Sequence, residues 1–303
     1  MAIVSELISY GGWDNCLRLK NSLVEVIMPL QVGIRILNFA FSDSPNVFAE
    51  FHEQLGLSGG DVWRIYGGHR LWHAPETRAR TYSLDNSPVK LLYGFDYFRL
   101  TQDVDHAGIQ KEIDVYLDND KAEVVVVHRL TNKGIWDVTC APWALSVMAA
   151  GGKAIIPLPS RGSHETDLLP NTRLILWSYT DMADKRWTWG KDYVMLRQDP
   201  QAETPQKFGI HNTRAWAAYW RKGVLFVKKV IHQPHASYPD FDSTFEFFTN
   251  NQMLEVETLA PTVTLAPNQS VEHAETWQLF RDVPEPHSEA DIKTIIEPLV
   301  NPT

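Results

Sequence analysis

Two glutamates, Glu255 and Glu257, are separated by one residue in the run FTNNQMLEVETLAP, which reads as an extended segment over residues 252–259. Side chains alternate between the faces of a strand, so both carboxyls share one face while Leu254 and Val256 take the other. At that spacing they stand roughly 7 Å apart on a regular strand. One charge can then raise the pKa of the other, a setting that suits general acid or base work. A solvated strand face that happens to carry two acids has the same spacing.

A second concentration of chemistry is GGHRLWHAPE, residues 67–76. Gly67-Gly68 interrupts a strand and lets backbone approach a ligand closely. His69, Arg70, Trp72, His73 and Glu76 follow, a dense polar and aromatic set for what reads as a loop. His69, His73 and Glu76 also have an H-x3-H-x2-E ligand spacing. Histidines four apart share a helix face and suit zinc, but the glycine pair and Pro75 argue for a loop of unspecified geometry. Asp240, Asp242 and His235 would be the further ligands. We read the chain as using no metal and no cofactor. Arg70, Trp72, Lys207, Tyr238 and Asp240 are candidates for substrate contact, with Glu76 and Glu255 beside them. The cations would donate to hydroxyls, a carboxylate or a phosphate, and Trp72 would stack.

The elements that must position these groups are almost all strands. A chain of 303 residues with 44% hydrophobic and 21% charged content has material for a sizeable soluble core. Its net charge of −9, without a basic cluster, argues against nucleic acid and anionic membranes as partners. No apolar run reaches the roughly 18 to 20 residues of a membrane span. The start, MAIVSELISYGGWDN, lacks the basic and long apolar parts of a signal peptide. Cys16 and Cys140 supply neither a disulfide framework nor zinc spacing and fit a reducing compartment, so the cytoplasm is the expected address. Eleven tryptophans provide flat faces for core packing or for stacking on sugar rings.

Short β-branched or alternating runs recur at 16–20, 23–29, 34–41, 89–93, 95–101, 109–117, 122–131 and 136–149. They resume at 155–159, 173–178, 187–198, 214–221, 223–232, 241–249, 252–259 and 270–280. Residues 46–60 are less regular, with room for one helical turn. Ser288 is placed to cap a helix over 289–296, closed by Glu297-Pro298. No repeat or long linker divides the chain. The expectation is one all-β domain over 1–303, with its core at about 16–281 and a C-terminal extension over 282–303.

Several of these stretches resemble the aldose epimerase (galactose mutarotase-like) superfamily. QVGIRILN, residues 31–38, is similar to the Gly-x-Arg-Ile-x-x-Leu theme of its early strands. Gly67-Gly68 with His69 and Arg70 stands where that family lines its sugar pocket. The strand ending at Asn132-Lys133-Gly134 is similar to the one preceding the family's acid-bearing strand. Leu265-Ala266-Pro267-Asn268 resembles its Leu-x-Pro-Gly turn, with Asn in place of Gly; Asn is the next most tolerant residue of positive φ. The resemblance covers roughly residues 16–281 and implies a β-supersandwich of antiparallel sheets.

It also implies Glu257 as general base. The family's general acid is a histidine within a His-x-Tyr-Phe-Asn-Leu type sequence. The corresponding stretch, Thr139-Cys140-Ala141-Pro142-Trp143-Ala144-Leu145, holds no histidine. Trp143 stands where an aromatic would, and His69 and His73 are the replacements to consider for the acid. Mutarotation needs a base for the anomeric hydroxyl and an acid for the ring oxygen. The implied function is therefore interconversion of the anomers of a small-molecule carbohydrate by an epimerase-like isomerase. The alternatives are a lyase or hydrolase on the same scaffold, or a non-catalytic carbohydrate-binding protein. The sequence specifies neither the sugar nor the oligomeric state.

Overall fold

The computed structural model describes residues 3–301. Strands dominate, in antiparallel sheets of four, eight and ten strands. In the four-stranded sheet, Val4–Tyr10, Trp13–Lys20, Val24–Pro29 and Asn38–Phe41 pair in that order. Asn21 turns the chain between the second and third, its Oδ1 accepting from the N–H groups of Leu23 and Val24, both at 2.8 Å. The middle of the ten-stranded sheet is Val224–Val230, Ser270–Phe280 and Glu123–Asn132. The middle of the eight-stranded sheet is Phe245–Thr249, Leu254–Leu259, Val138–Met148 and Gly68–Ala74.

Alternation along each strand gives every sheet an inward apolar face, and the three faces share one core. Leu19, Val26 and Phe39 come from the four-stranded sheet, Val126, Phe226 and Trp277 from the ten-stranded one, and Phe208, Phe247 and Val256 from the eight-stranded one. Trp277 sits among the rings of Phe48, Phe226 and Phe39, at 5.6, 5.9 and 6.0 Å. Burial of one such side chain contributes about 1.5–3 kcal/mol.

The GGHRLWHAPE stretch is not a loop. Gly68–Ala74 is a buried strand between Arg35–Ile36 and Val138–Met148. The glycine pair makes room for neighbouring backbone rather than for a ligand: a Cβ on Gly67 would lie 2.0 Å from the Ala49 carbonyl oxygen, and one on Gly68 2.3 Å from that of Ile36. Asn268 does adopt a left-handed conformation, φ 66°. Its N–H donates to the Asn132 carbonyl at 2.7 Å, tying two turns together.

Ser288 caps the C-terminal helix through a capping box with Asp291. The helix does not stop at Glu297-Pro298. It passes through a π-type turn over Ile292–Ile296 and continues over Glu297–Val300, since proline costs no hydrogen bond in the first turn of a helical segment. Ile292, Ile296 and Val300 pack on Ile155, Tyr193 and Trp216. Among the described residues, no helix is long and apolar enough to cross a membrane. Cys16 and Cys140 are buried free thiols.

Candidate active site

The parity of each strand sorts the candidate residues onto two faces of the eight-stranded sheet. Arg70 and Trp72, Trp143, Lys207, and Glu255 and Glu257 project from four strands into one cleft of about 320 Å³. Trp63, Glu76, Tyr82 and Tyr179 complete its wall. Register brings these strands together: Trp72 lies opposite Trp143, Leu145 lies between Arg70 on one side and Glu257 on the other, and Glu246 lies opposite Glu257.

Glu257 is fully buried, and its Oε2 accepts a hydrogen bond from Trp143 Nε1 at 2.8 Å. Lys207 Nζ lies 3.5 Å from the same oxygen and 2.9 Å from Glu246 Oε2. The ammonium also lies over the rings of Trp143 and Trp177, at 4.7 and 4.6 Å. Burial opposes the charge on Lys207, yet Glu257 and Glu246 together hold its pKa above the ordinary lysine value. Burial raises all three carboxyls. Glu246 is held well above the usual range, with Lys207 pulling it back. Glu255 is pushed up to about 8 by burial and then by the charge of Glu257. Glu257 is raised by burial, while Lys207 and the Trp143 N–H favour its ionised form. Lys207 can neutralise one negative charge, so at neutral pH the group retains protons, and Glu255 carries one. Two carboxyls on one strand face thus sit in different surroundings, Glu257 beside a cation and an N–H donor and Glu255 beside the charge of Glu257, the kind of asymmetry an acid–base pair uses.

Glu257 Oε1 is buried and has no hydrogen-bond partner among the described residues. Tyr82 Oη donates to Glu76 Oε1 at 2.6 Å, fixing Glu76 at the rim. The Arg70 guanidinium is cupped by Trp63 and Trp72, at 4.6 and 4.5 Å from their ring centres.

His69 and His73 do not reach this cleft. They share the strand of Arg70 and Trp72 but have the opposite parity, so both point between the sheets. His73 is buried with neither ring nitrogen partnered, and burial lowers its pKa to about 4. His69 Nε2 meets His128 Nε2 at 2.7 Å, and His69 Nδ1 meets Ser146 Oγ at 2.9 Å. A carbonyl can only accept, so the 2.9 Å contact of His128 Nδ1 with the His273 carbonyl puts the His128 proton on Nδ1. His128 Nε2 then accepts from His69 Nε2–H, and Ser146 donates to His69 Nδ1. Nearby, Glu275 pairs with Lys228 at 3.0 Å and accepts from Trp277 Nε1 at 2.7 Å and from Thr258 Oγ1.

The H-x3-H-x2-E ligand set does not assemble. On a strand, positions 69 and 73 stand about 13 Å apart, and Glu76 lies at the cleft rim on the other face. The ligand-type atoms that do converge are those of His69, His128 and Glu275, all within 4.8 Å of one another. Tyr238 also lies away from the cleft, stacked on His232 at 6.1 Å, with its hydroxyl accepting from the Gln233 N–H. Asp240 lines a neighbouring groove that shares Glu76 and Tyr82 with the cleft. Asp242 is paired with Arg173, and His235 is exposed.

Glu246, Trp177, Tyr179, Trp63 and Tyr82 are site residues that the sequence did not single out. Glu246 had a signal, a lone acid of outward parity in the apolar strand FEFFT. The aromatic wall residues lie outside any regular pattern.

No protein-family model matches the chain, and no curated protein matches it. Solved structures do. A "putative aldose 1-epimerase" from Klebsiella pneumoniae superimposes with a TM-score of 0.61 over 98% of this chain and 86% of its own, at 11% identity. A galactose mutarotase-like protein from Lactobacillus casei gives 0.53 over 88% of this chain and 100% of its own, at 9% identity. A galactose mutarotase related enzyme from Lactobacillus acidophilus also gives 0.53, over 93% and 99%, at 7% identity. The chain has the antiparallel sandwich fold of the galactose mutarotase-like proteins.

Proposed function

We propose that the cleft binds a sugar and interconverts its anomers, with Glu257 as general base and Glu255 as general acid. The observation that carries this reading is the Glu257 carboxyl pinned by Trp143 and Lys207 in the cleft, two residues from a second buried carboxyl, Glu255, that burial pushes toward its protonated form. Glu257 would take the proton of the anomeric hydroxyl as the C1–O5 bond breaks, while Glu255 gives its proton to the ring oxygen. Rotation of the open-chain aldehyde and the reverse transfers close the other anomer, with no net change in atoms or charge. Glu255 would thus fill the place that the family resemblance assigns to a histidine. Trp72 and Trp143 offer apolar faces for the ring. The fold shared with structures described as mutarotase-like and epimerase proteins supports the same reading.

The test is anomer exchange in a panel of aldoses, followed by NMR saturation transfer between the two anomeric protons. The expected result is protein-dependent exchange for one sugar class; no exchange for any sugar would remove the proposal. Two carboxyls roughly 7 Å apart also fit hydrolysis with inversion. Release of a new reducing end from a glycoside, without anomer exchange, would move the assignment there.

A further inference from the structure

We infer that the sugar is an acid, a pyranose bearing an exocyclic carboxylate, and that Arg70 binds that carboxylate. The inference rests on the reading of the cleft as a sugar site and names the class of sugar. Arg70 is 1% exposed, and its Nε and Nη1 find no acceptor among the described residues. The other deeply buried guanidiniums each leave one nitrogen unpartnered, Arg35 Nε and Arg186 Nη1, but each is paired with a carboxylate. Arg186 pairs with Asp184 at 2.8 Å and donates to the Thr204 carbonyl at 2.7 Å. Arg35 pairs with Asp85 at 2.5 Å and donates to the Ile65 carbonyl at 3.0 Å.

Arg35 lies directly opposite Arg70 across the strand pair. Two cations therefore stand side by side on this strand pair; Asp85 makes its ion pair with Arg35, and its charge and that of Glu255 act on Arg70 without direct contact. Glu255, on the cleft face nearby, forms no ion pair with Arg70 among the described residues. An unpaired buried cation is costly, and Arg70 is among the residues that line the cleft. A ligand anion would supply the missing partner.

Geometry and charge select a carboxylate. Arg70 and Glu257 flank Leu145 from the strands on either side, roughly 10 Å apart at the backbone. With both side chains reaching in, that span suits a pyranose whose carboxylate meets Arg70 while its anomeric hydroxyl meets Glu257. A planar guanidinium binds a planar carboxylate through paired hydrogen bonds. Lys207 is already shared by Glu246 and Glu257, so Arg70 has a single positive charge to offer. A phosphate dianion would leave one charge unmatched in a buried cleft that already holds Glu257.

The experiment compares a hexuronate, the matching neutral hexose and its 6-phosphate, measuring affinity by calorimetry and anomer exchange by NMR. Wild-type protein should favour the hexuronate over the hexose by about 10²-fold, because a buried donor left unpaired penalises the neutral analogue. Arg70→Met should bring that ratio close to one. Arg70→Lys, which keeps the charge and loses the planar fork, should give an intermediate ratio and serves if the Met variant does not fold. Equal treatment of hexose and hexuronate, preference for the phosphate, or a ratio unchanged in Arg70→Met would overturn the inference. Arg70-dependent hexuronate binding without exchange would keep the anion subsite and remove anomer interconversion. Exchange of the neutral hexose without acid preference would do the reverse.

Discussion

Trp143 donates its indole N–H to Glu257 across adjacent strands at 2.8 Å, so one residue both walls the cleft and holds its carboxylate. A hydrogen bond to a charged acceptor contributes about 1.5–3 kcal/mol. Trp143→Phe keeps an aromatic wall and removes the donor that favours the ionised form, so the Glu257 pKa should rise further. The acidic limb of the pH–rate profile should move to higher pH, with loss of rate greater at pH 6 than at pH 8. An unmoved limb would show that the indole does not tune the base.

Glu255 should trade stability for function. Its folded pKa of about 8 exceeds the value of an ordinary carboxyl, so the folded state holds a proton that the unfolded chain releases above about pH 4.3. The stability tied to that proton is complete below pH 4.3 and is lost as pH rises to about 8. Glu255→Gln removes the titration. Relative to wild type it should gain on the order of 3–4 kcal/mol between pH 5 and pH 8 in urea unfolding, while anomer exchange falls about 10²-fold. A stability difference independent of pH would contradict the assignment.

The strand Leu254–Leu259 was readable because strict alternation leaves only one assignment of faces, and Glu255 and Glu257 do share the cleft. GGHRLWHAPE misled for a definite reason. Gly67, Gly68 and Pro75 are strong loop punctuation, yet here the glycines let two backbones pass and the strand runs on to Ala74. Once that segment is a strand, parity separates Arg70 and Trp72 from His69 and His73. The pairing of Glu246 with Glu257 depends on cross-strand register, which no local pattern encodes. Tyr179 and Trp177 belong to an irregular excursion between short strands, where no periodicity marks which side chains turn inward.

His69 should be a source of acid lability. Burial, reinforced by the charge of Lys228 and opposed by that of Glu275, holds its pKa well below the ordinary value. A proton added to His69 would go on Nδ1 and reverse the Ser146 hydrogen bond, and one added to His128 would set N–H against N–H at the His69–His128 contact. The unfolded histidine takes up a proton below about pH 6.5 while the folded one does not, so its stabilising contribution is complete above that pH and falls as pH drops. The cost of His69→Gln, measured by urea unfolding, should therefore shrink by about 1.4 kcal/mol per pH unit below pH 6.5. A constant cost from pH 8 to pH 5 would show that the histidine is not held neutral.

Lys228 and Glu275 are both fully buried, with Nζ and Oε1 3.0 Å apart. Lys228→Met leaves the buried Glu275 carboxylate without its cation and should cost about 3–5 kcal/mol. Adding Glu275→Gln should restore more than half of that loss, since no unpaired charge then remains. Additive losses in the two single variants and the double variant, measured by urea unfolding, would show that the pair is not coupled.

The base itself is tested most directly by the anomer exchange rate and sugar affinity of Glu257→Gln beside wild type, at one pH and on one sugar. The amide keeps the shape of the side chain and can still bond to hydroxyls, but it cannot take a proton. Exchange should fall by about 10²- to 10⁴-fold while affinity changes by far less. Wild-type exchange in Glu257→Gln, with the sugar bound as before, would contradict the account.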